Sequence, residues 1–182
     1  VYKRQIMTFV EECGANPERS SVGMDAAALG EIKAFRHSVP EGINALIARR
    51  RSEVPGLTKI ATDMAVSDAH LRALYARYGE VFGGLGLDFA AFGHVGDNHL
   101  HVNVLPRDLA ELAAAREGYR VLAREVVSMG GAVSAEHGFG RLKHEFLELQ
   151  FSVDELAILG HIKGVLDPGG RLNPGILAAP VV

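Results

Sequence analysis

The stretch that most constrains the fold runs from residue 92 to residue 106, because it combines a turn signal with an alternating flank. Three of the eight histidines of the chain fall inside it, at positions 94, 99 and 101. Asp97 and Asn98 tolerate the positive φ of a tight turn, and polar and apolar side chains alternate after them. The stretch therefore predicts an antiparallel β-hairpin with Asp97 and Asn98 as its two loop residues.

The predicted hairpin brings histidines together. With a two-residue loop, His94 faces His101, and directly opposed residues have Cβ atoms about 4.5–5.5 Å apart. That separation lets two imidazoles share one ion. A period of two also puts His99, His101 and Asn103 on one face of the sheet. His99 lies beyond the opposed pair, so it is interpreted as a residue beside the ligands and not as a ligand.

A carboxylate on a glycine-flanked turn completes a candidate metal site. Glu136 and His137 lie in the segment 134–138, which ends in glycine. Two imidazoles and one carboxylate can hold a divalent ion and leave coordination positions open for water or substrate. His137 is then placed to accept a proton as a general base. For each histidine taken alone, an ordinary core or surface position stays open as the alternative.

Composition excludes several classes of protein. A chain of 182 residues suffices for one domain with a substantial core or for two small ones. The net charge of −3 gives no support to a nucleic-acid or membrane partner. One cysteine, Cys13, excludes an internal disulfide and fits a reducing compartment, so we expect a cytoplasmic protein. The chain begins with Val1 inside a predicted helix, and we expect it to be a fragment.

Most of the remaining chain predicts helices. Asp25 is expected to cap one helix, and Pro40 to stand in the first turn of the next. A long amphipathic helix is expected over residues 109–129. Ser152 and Glu155 form a capping box for the last helix.

Two further segments, 57–66 and 85–92, are predicted to be extended, and the second leads into the hairpin. Strands that are joined by a hairpin and followed by helices favour the α+β class. We expect an antiparallel sheet with helices packed on one face, of the ferredoxin-like type.

Four segments resemble, in order and spacing, the C-terminal domain of FAD-linked oxidases. They are residues 93–97, 100–103, 134–141 and 166–175. That group contains D-lactate dehydrogenase, D-2-hydroxyglutarate dehydrogenase and the flavoprotein subunit of bacterial glycolate oxidase. The resemblance implies one ferredoxin-like cap domain over residues 1–182, with FAD on an N-terminal domain outside this sequence. It also implies oxidation of a D-2-hydroxy acid to the 2-oxo acid, and a fragment that is inactive alone.

The resemblance also assigns roles to single residues. It implies a divalent ion, with zinc expected, on His94, His101 and Glu136. It implies substrate contacts for Arg36, Asn103 and His137, with His137 also the catalytic base beside the flavin. The electron acceptor stays open, and so does the choice between a monomer and a homo-oligomer.

The C-terminal segment 172–175 resembles the part of the family that returns towards the flavin domain, which makes Asn173 a candidate cofactor contact. A Pro-Gly turn that ends the fold explains the same residues equally well.

The sequence departs from the family pattern in places that bear on the substrate. The usual Gly-Asp-Gly-Asn-Leu-His run reads Gly-Asp-Asn-His-Leu-His at residues 96–101, which adds the imidazole of His99 near the metal. Pro40 stands where D-2-hydroxyglutarate dehydrogenases carry a threonine, and Lys59 does not align cleanly with their substrate lysine. The hydroxy acid therefore stays open among D-lactate, glycolate and D-2-hydroxyglutarate.

Two other functions stay open. In a metal-dependent hydrolase, the same ligands would activate water and His137 would shuttle protons. In a non-catalytic ligand-binding module, the sheet alone would form the binding surface.

Overall fold

The computed structural model describes residues 2–14, 16, 18 and 23–176. The chain divides into two compact units, residues 1–48 and 49–182. The first unit contains helix α1, Tyr2–Glu12, and most of helix α2, Ala26–Glu53. The assignment of residues 1–182 to a single domain stays a prediction.

Helix α2 corrects one prediction from the sequence. Two helices meeting at Pro40 were expected, but one helix runs through this proline. The expected N-cap is confirmed, because the Asp25 carboxylate accepts a hydrogen bond of 2.8 Å from the N–H of Ala28. A proline inside a helix removes one backbone hydrogen bond. Residues 31–39 are exposed, so water can hydrate the carbonyl group that Pro40 leaves without its helical donor.

The second unit is built on a four-stranded antiparallel sheet with β4, His99–Val104, at its centre. Strand β3, Phe89–His94, pairs with one edge of β4. Two short strands, β1 (Ile60–Ala61) and β2 (Met64–Ala65), pair with the other edge in one continuous register. This sheet, together with the helices around it, confirms the predicted α+β class.

The register predicted for the hairpin is wrong by two residues. A short 3₁₀ turn follows β3, and Asn98 then takes the left-handed conformation with φ of 53°. The loop therefore has four residues instead of two. His94 pairs with His99, and Phe92 pairs with His101. Because the shift is even, every side chain keeps its predicted face of the sheet.

Two helices pack against the apolar face of this sheet. Helix α3 spans Asp68–Tyr78 and continues into a π turn, Gly79–Gly83. Helix α4 spans Leu109–Ser128, close to the predicted bounds. The core between helices and sheet includes the buried side chains of Met64, Leu74, Phe82, Val102, Val104, Leu122 and Val126.

The C-terminal part of the second unit is helical. A 3₁₀ turn, His144–Phe146, leads into the short helix α5, Leu147–Gln150, and then into α6, Val153–Leu166. The capping box of Ser152 and Glu155 at the start of α6 is confirmed, with both reciprocal hydrogen bonds present. None of the helices in the described ranges is long and apolar enough to cross a membrane.

Replacing Gly118 by alanine should destabilise the fold. A Cβ at this buried position of α4 would lie 2.9 Å from Cε1 of Phe82 and 3.0 Å from Cγ1 of Val81. The Phe82 ring is fully buried and cannot move aside freely. We expect Gly118→Ala to lower the free energy of unfolding by about 1–3 kcal/mol, the usual cost of overpacking, as measured by urea denaturation.

Gly164→Ala is the matched control, because it makes the same change inside α6. A Cβ there would have no neighbour within 4 Å, and alanine favours helices over glycine by about 1 kcal/mol. Gly164→Ala should therefore be neutral or stabilising. Equal losses of stability in both variants would show that the packing of α4 on Phe82 is described wrongly.

Candidate metal centre

The face of the sheet opposite the core carries the polar residues that the sequence singles out. His99, His101 and Asn103 of β4 share this face, and His94 of β3 stands beside His99. The continuous register of the other edge places Asp63 opposite His101. Backbone pairing alone thus gathers three imidazoles and a carboxylate on one patch of the sheet.

Glu136 reaches this patch from the turn that follows α4. Its carboxylate oxygens lie 3.5 Å from Nε2 of His94, 3.4 Å from Nδ1 of His99 and 3.4 Å from Nε2 of His101. Bonds of about 2.0–2.1 Å at a tetrahedral angle put neighbouring ligand atoms about 3.3–3.5 Å apart. The distances from the three imidazole nitrogens to the Glu136 carboxylate are therefore those between neighbouring ligands of one ion.

The candidate ligands Asp63, His94, His99, His101 and Glu136 differ in how closely they approach one another. Asp63, His99, His101 and Glu136 offer ligand atoms that all lie within 4.8 Å of one another. The ring of His94 stands further out, with its centroid 6.1 Å from that of His99 and 6.2 Å from that of His101. The predicted ligands His94, His101 and Glu136 are thus neighbours, and their binding of a metal stays a prediction.

Reasoning from the sequence missed Asp63 and gave His99 only a place beside the ligands. The sequence does indicate Asp63 indirectly. It is the single carboxylate in the extended segment 57–66, and a carboxylate in a buried strand needs hydrogen-bond donors or a cation beside it. For His99 the period of two already placed its ring on the same face as His101. The wrong hairpin register then moved His99 away from the pair.

Asp63 is the buried centre of a hydrogen-bond network. Its Oδ2 accepts hydrogen bonds from Nζ of Lys143 at 2.7 Å, the backbone N–H of His137 at 2.9 Å and the Ser134 hydroxyl at 2.9 Å. Burial disfavours the charged form of this carboxyl group, but these donors outweigh burial and hold the pKa of Asp63 well below its usual range. The ionised carboxylate therefore ties the glycine-flanked turn to the sheet.

His101 is set up as a neutral imidazole. Burial lowers its pKa and the neighbouring His99 adds to this effect, while the carboxylates of Asp63 and Glu136 oppose it. A neutral ring has a nitrogen lone pair, which is the form that binds a metal.

His137 is the exposed imidazole of the group. Its ring stacks on that of His101 with centroids 5.2 Å apart, and 64% of its side chain is exposed. The Nδ1 atom lies 3.5 Å from Oδ1 of Asp63. The ring therefore lies beside the ligand group and open to solvent, where a base for an incoming substrate is expected.

Asn103 lies two residues beyond His101 on the same face of β4 and is only 2% exposed. Within the described part of the chain, its side-chain amide has no hydrogen-bond partner. The amide can therefore exchange hydrogen bonds with a bound substrate.

The roles of two further predicted site residues, Arg36 and Asn173, are not tested by this geometry. Arg36 is an exposed residue of α2 and belongs to the first unit. Asn173 lies in an exposed turn with φ of 42°, and among the described residues no contact links it to the ligand group. The roles of Arg36 and Asn173 stay predictions.

The chain matches one known family over nearly its whole length. The family model described as FAD linked oxidases, C-terminal domain, matches residues 2–177.

Curated relatives are similar over part of their length. A D-2-hydroxyglutarate dehydrogenase of Xanthomonas citri pv. viticola is 42% identical over 50% of this chain and 20% of its own. The glycolate oxidase subunit GlcD of Bacillus subtilis is 25% identical over 74% of this chain and 30% of its own. The mitochondrial D-lactate dehydrogenase [cytochrome] of Arabidopsis thaliana is 29% identical over 70% of this chain and 23% of its own. The chain therefore spans about a fifth to a third of the length of these relatives.

Replacing Lys143 by methionine should destabilise the protein strongly. The Asp63 side chain is 1% exposed, and without the ammonium group its charge would stay buried without its strongest donor. Removing one partner of a buried ion pair costs about 3–5 kcal/mol, so we expect a loss of this size in the free energy of unfolding, measured by urea denaturation. Lys33→Met, at an exposed position of α2, should change it by no more than about 0.5 kcal/mol. A Lys143→Met protein as stable as wild type would mean that Asp63 is not a buried anion.

Proposed function

Because this chain belongs to the family of C-terminal domains of FAD-linked oxidases, we propose that it supplies the substrate and metal site of an FAD-dependent oxidoreductase. The reaction proposed is the oxidation of a D-2-hydroxy acid to the 2-oxo acid. The names of the relatives support this class of substrate, since they specify D-2-hydroxyglutarate, glycolate and D-lactate. FAD is proposed to bind a part of the full protein that lies outside this sequence.

The observation that carries the proposal is the arrangement of imidazole nitrogens around Glu136. Each of the three lies 3.4–3.5 Å from a carboxylate oxygen, which is the separation of neighbouring ligand atoms around one shared cation. We propose a divalent ion held by His94, His101 and Glu136. Zinc is the ion expected, because imidazole and carboxylate are among its usual ligands.

His137 is proposed as the base of the reaction. A bound divalent ion would supply Lewis acidity at the substrate hydroxyl, and bound FAD would supply a hydride acceptor. His137 would take the hydroxyl proton at a ring nitrogen, and its exposed ring beside His101 is open to an incoming substrate. The hydrogen bond from its backbone N–H to Asp63 fixes the position of the turn that carries it. Loss of the hydroxyl proton makes the hydrogen on the same carbon leave more readily as hydride.

Two further residues are proposed to hold the substrate. The unpartnered amide of Asn103, 2% exposed, can exchange hydrogen bonds with a hydroxyl or carboxylate group. The guanidinium group of Arg36 can pair with a carboxylate through two parallel hydrogen bonds. Asn173 is proposed to contact the flavin.

The proposal is tested by separating metal binding from proton transfer in the full-length protein. His101→Ala should lose most of the bound metal and all oxidation of the hydroxy acid, because a ligand is gone. His137→Gln should keep metal and flavin but lower kcat by about 10²–10⁴-fold, the usual contribution of a general base. Metal is measured by plasma mass spectrometry and kcat by steady-state kinetics.

His161→Gln is the control for both variants, since His161 is exposed on α6 and has no proposed role. It should behave as wild type in metal content and in kcat. Full metal content in His101→Ala would reject the proposed site. An unchanged kcat in His137→Gln would reject the proposed base.

The role of Arg36 has a separate test. Arg36→Lys should raise KM for the 2-hydroxy acid about tenfold, because a charged hydrogen bond is worth about 1.5–3 kcal/mol and lysine cannot form the bidentate pair. The metal content should not change. Arg49→Lys makes the same change at another exposed position of α2 and should leave KM as it is. If the two variants have the same KM, Arg36 does not hold the substrate carboxylate.

A further inference from the structure

His99 stands between two carboxylates on the polar face of the sheet. The residue is 3% exposed, its Nε2 lies 2.8 Å from Oδ1 of Asp63, and its Nδ1 lies 3.4 Å from Oε1 of Glu136. A ring held on both sides in this way has one orientation. Its two nitrogens therefore contact different carboxylates.

The carboxylate of Asp63 decides which nitrogen of His99 carries the proton. An ionised carboxylate only accepts hydrogen bonds, and the other oxygen of Asp63 already accepts from Lys143 and from the N–H of His137. The distance of 2.8 Å between Nε2 and Oδ1 is that of a charge-assisted N–H···O hydrogen bond. Nε2 therefore carries the proton, and in the neutral imidazole Nδ1 is left with a lone pair.

In this tautomer the lone pair of Nδ1 faces Oε1 of Glu136. The distance of 3.4 Å equals the distance between the same carboxylate and Nε2 of His101. We infer that His99 binds the divalent ion through Nδ1, so that three imidazoles and one carboxylate form the ligand set. The inference rests on the proposed function, because it concerns the same ion.

Asp63 orients this ligand and does not itself bind the ion. Its Oδ1 lies 2.8 Å from Nε2 of His99, the nitrogen that does not bind the ion, and its Oδ2 already accepts hydrogen bonds from Lys143, His137 and Ser134. A carboxylate that fixes the tautomer of a metal-bound histidine is a common arrangement. Four protein ligands leave room for a hydroxy acid only if the ion accepts a fifth or sixth ligand, so the coordination number should rise above four when the hydroxy acid binds.

The experiment compares wild type, His99→Asn and the control His161→Asn in the full-length protein, with zinc alone as the probe. Asparagine at position 99 has no imidazole nitrogen for the ion. Even residues that only orient a ligand contribute about 10- to 100-fold to metal affinity, so the dissociation constant of zinc in His99→Asn should rise about 100-fold or more. It is measured by competition with a chelating dye, and His161→Asn should match wild type.

X-ray absorption at the zinc edge gives a second readout. The wild-type protein should show three imidazoles per zinc ion, and His99→Asn two. Two imidazoles in the wild type, or the same zinc affinity in wild type and His99→Asn, would overturn the inference and leave the proposed site of His94, His101 and Glu136 intact. A wild-type protein that binds no zinc, or a His101→Ala protein that binds it as tightly as wild type, would overturn the proposed site as well.

Discussion

The ion pair between Asp63 and Lys143 is the interaction on which the site depends. It joins the edge segment of the sheet to the chain after α4, with the two atoms 2.7 Å apart in a buried environment. A buried ion pair contributes little net stability, because desolvation offsets most of the attraction. Its effect here is to fix the positions of neighbouring groups. The same carboxylate accepts a hydrogen bond from the backbone N–H of His137 and, in the tautomer inferred above, one from Nε2 of His99. One anion therefore fixes the position of both the turn and the ring.

Strand β4 links this site to the stability of the fold. Leu100, Val102 and Val104 are buried in the core on one face, and the histidines and Asn103 alternate with them on the other. Formation of the core therefore sets the register that brings the imidazoles together. A slip of one residue would exchange the two faces and lose core and site at once.

The local patterns in the sequence predicted much of this arrangement. The helix over residues 109–129, the capping box of Ser152 and Glu155 and the antiparallel hairpin are all present. Each depends on residues close together in the chain, whose preferences are short-range. The continuous helix through Pro40 was missed because a proline at the start of a helix and a proline inside an exposed helix have the same local signal.

The features that were missed at the site depend on pairing between distant segments. Asp63 becomes part of the site only because residues 60–65 pair with β4, and nothing near Asp63 in the sequence specifies that partner. In the hairpin loop, Asn98 adopts positive φ after a 3₁₀ turn. An asparagine with positive φ is compatible with a loop of four residues as well as with a loop of two. The even shift preserved the predicted faces, and for this reason the predicted ligands are still neighbours of Glu136.

A metal ion on two imidazoles and a carboxylate can activate water for hydrolysis or bind a hydroxy acid for oxidation. Membership of the FAD-linked oxidase family supports the proposed oxidation, which requires His94, His101 and Glu136 to converge on one cation. Anomalous diffraction from crystals of the zinc-loaded full-length protein, collected on both sides of the zinc edge, tests it most directly. A single peak is expected about 2.0–2.2 Å from Nε2 of His94, Nε2 of His101 and the Glu136 carboxylate. A peak that lies away from all three residues would contradict it.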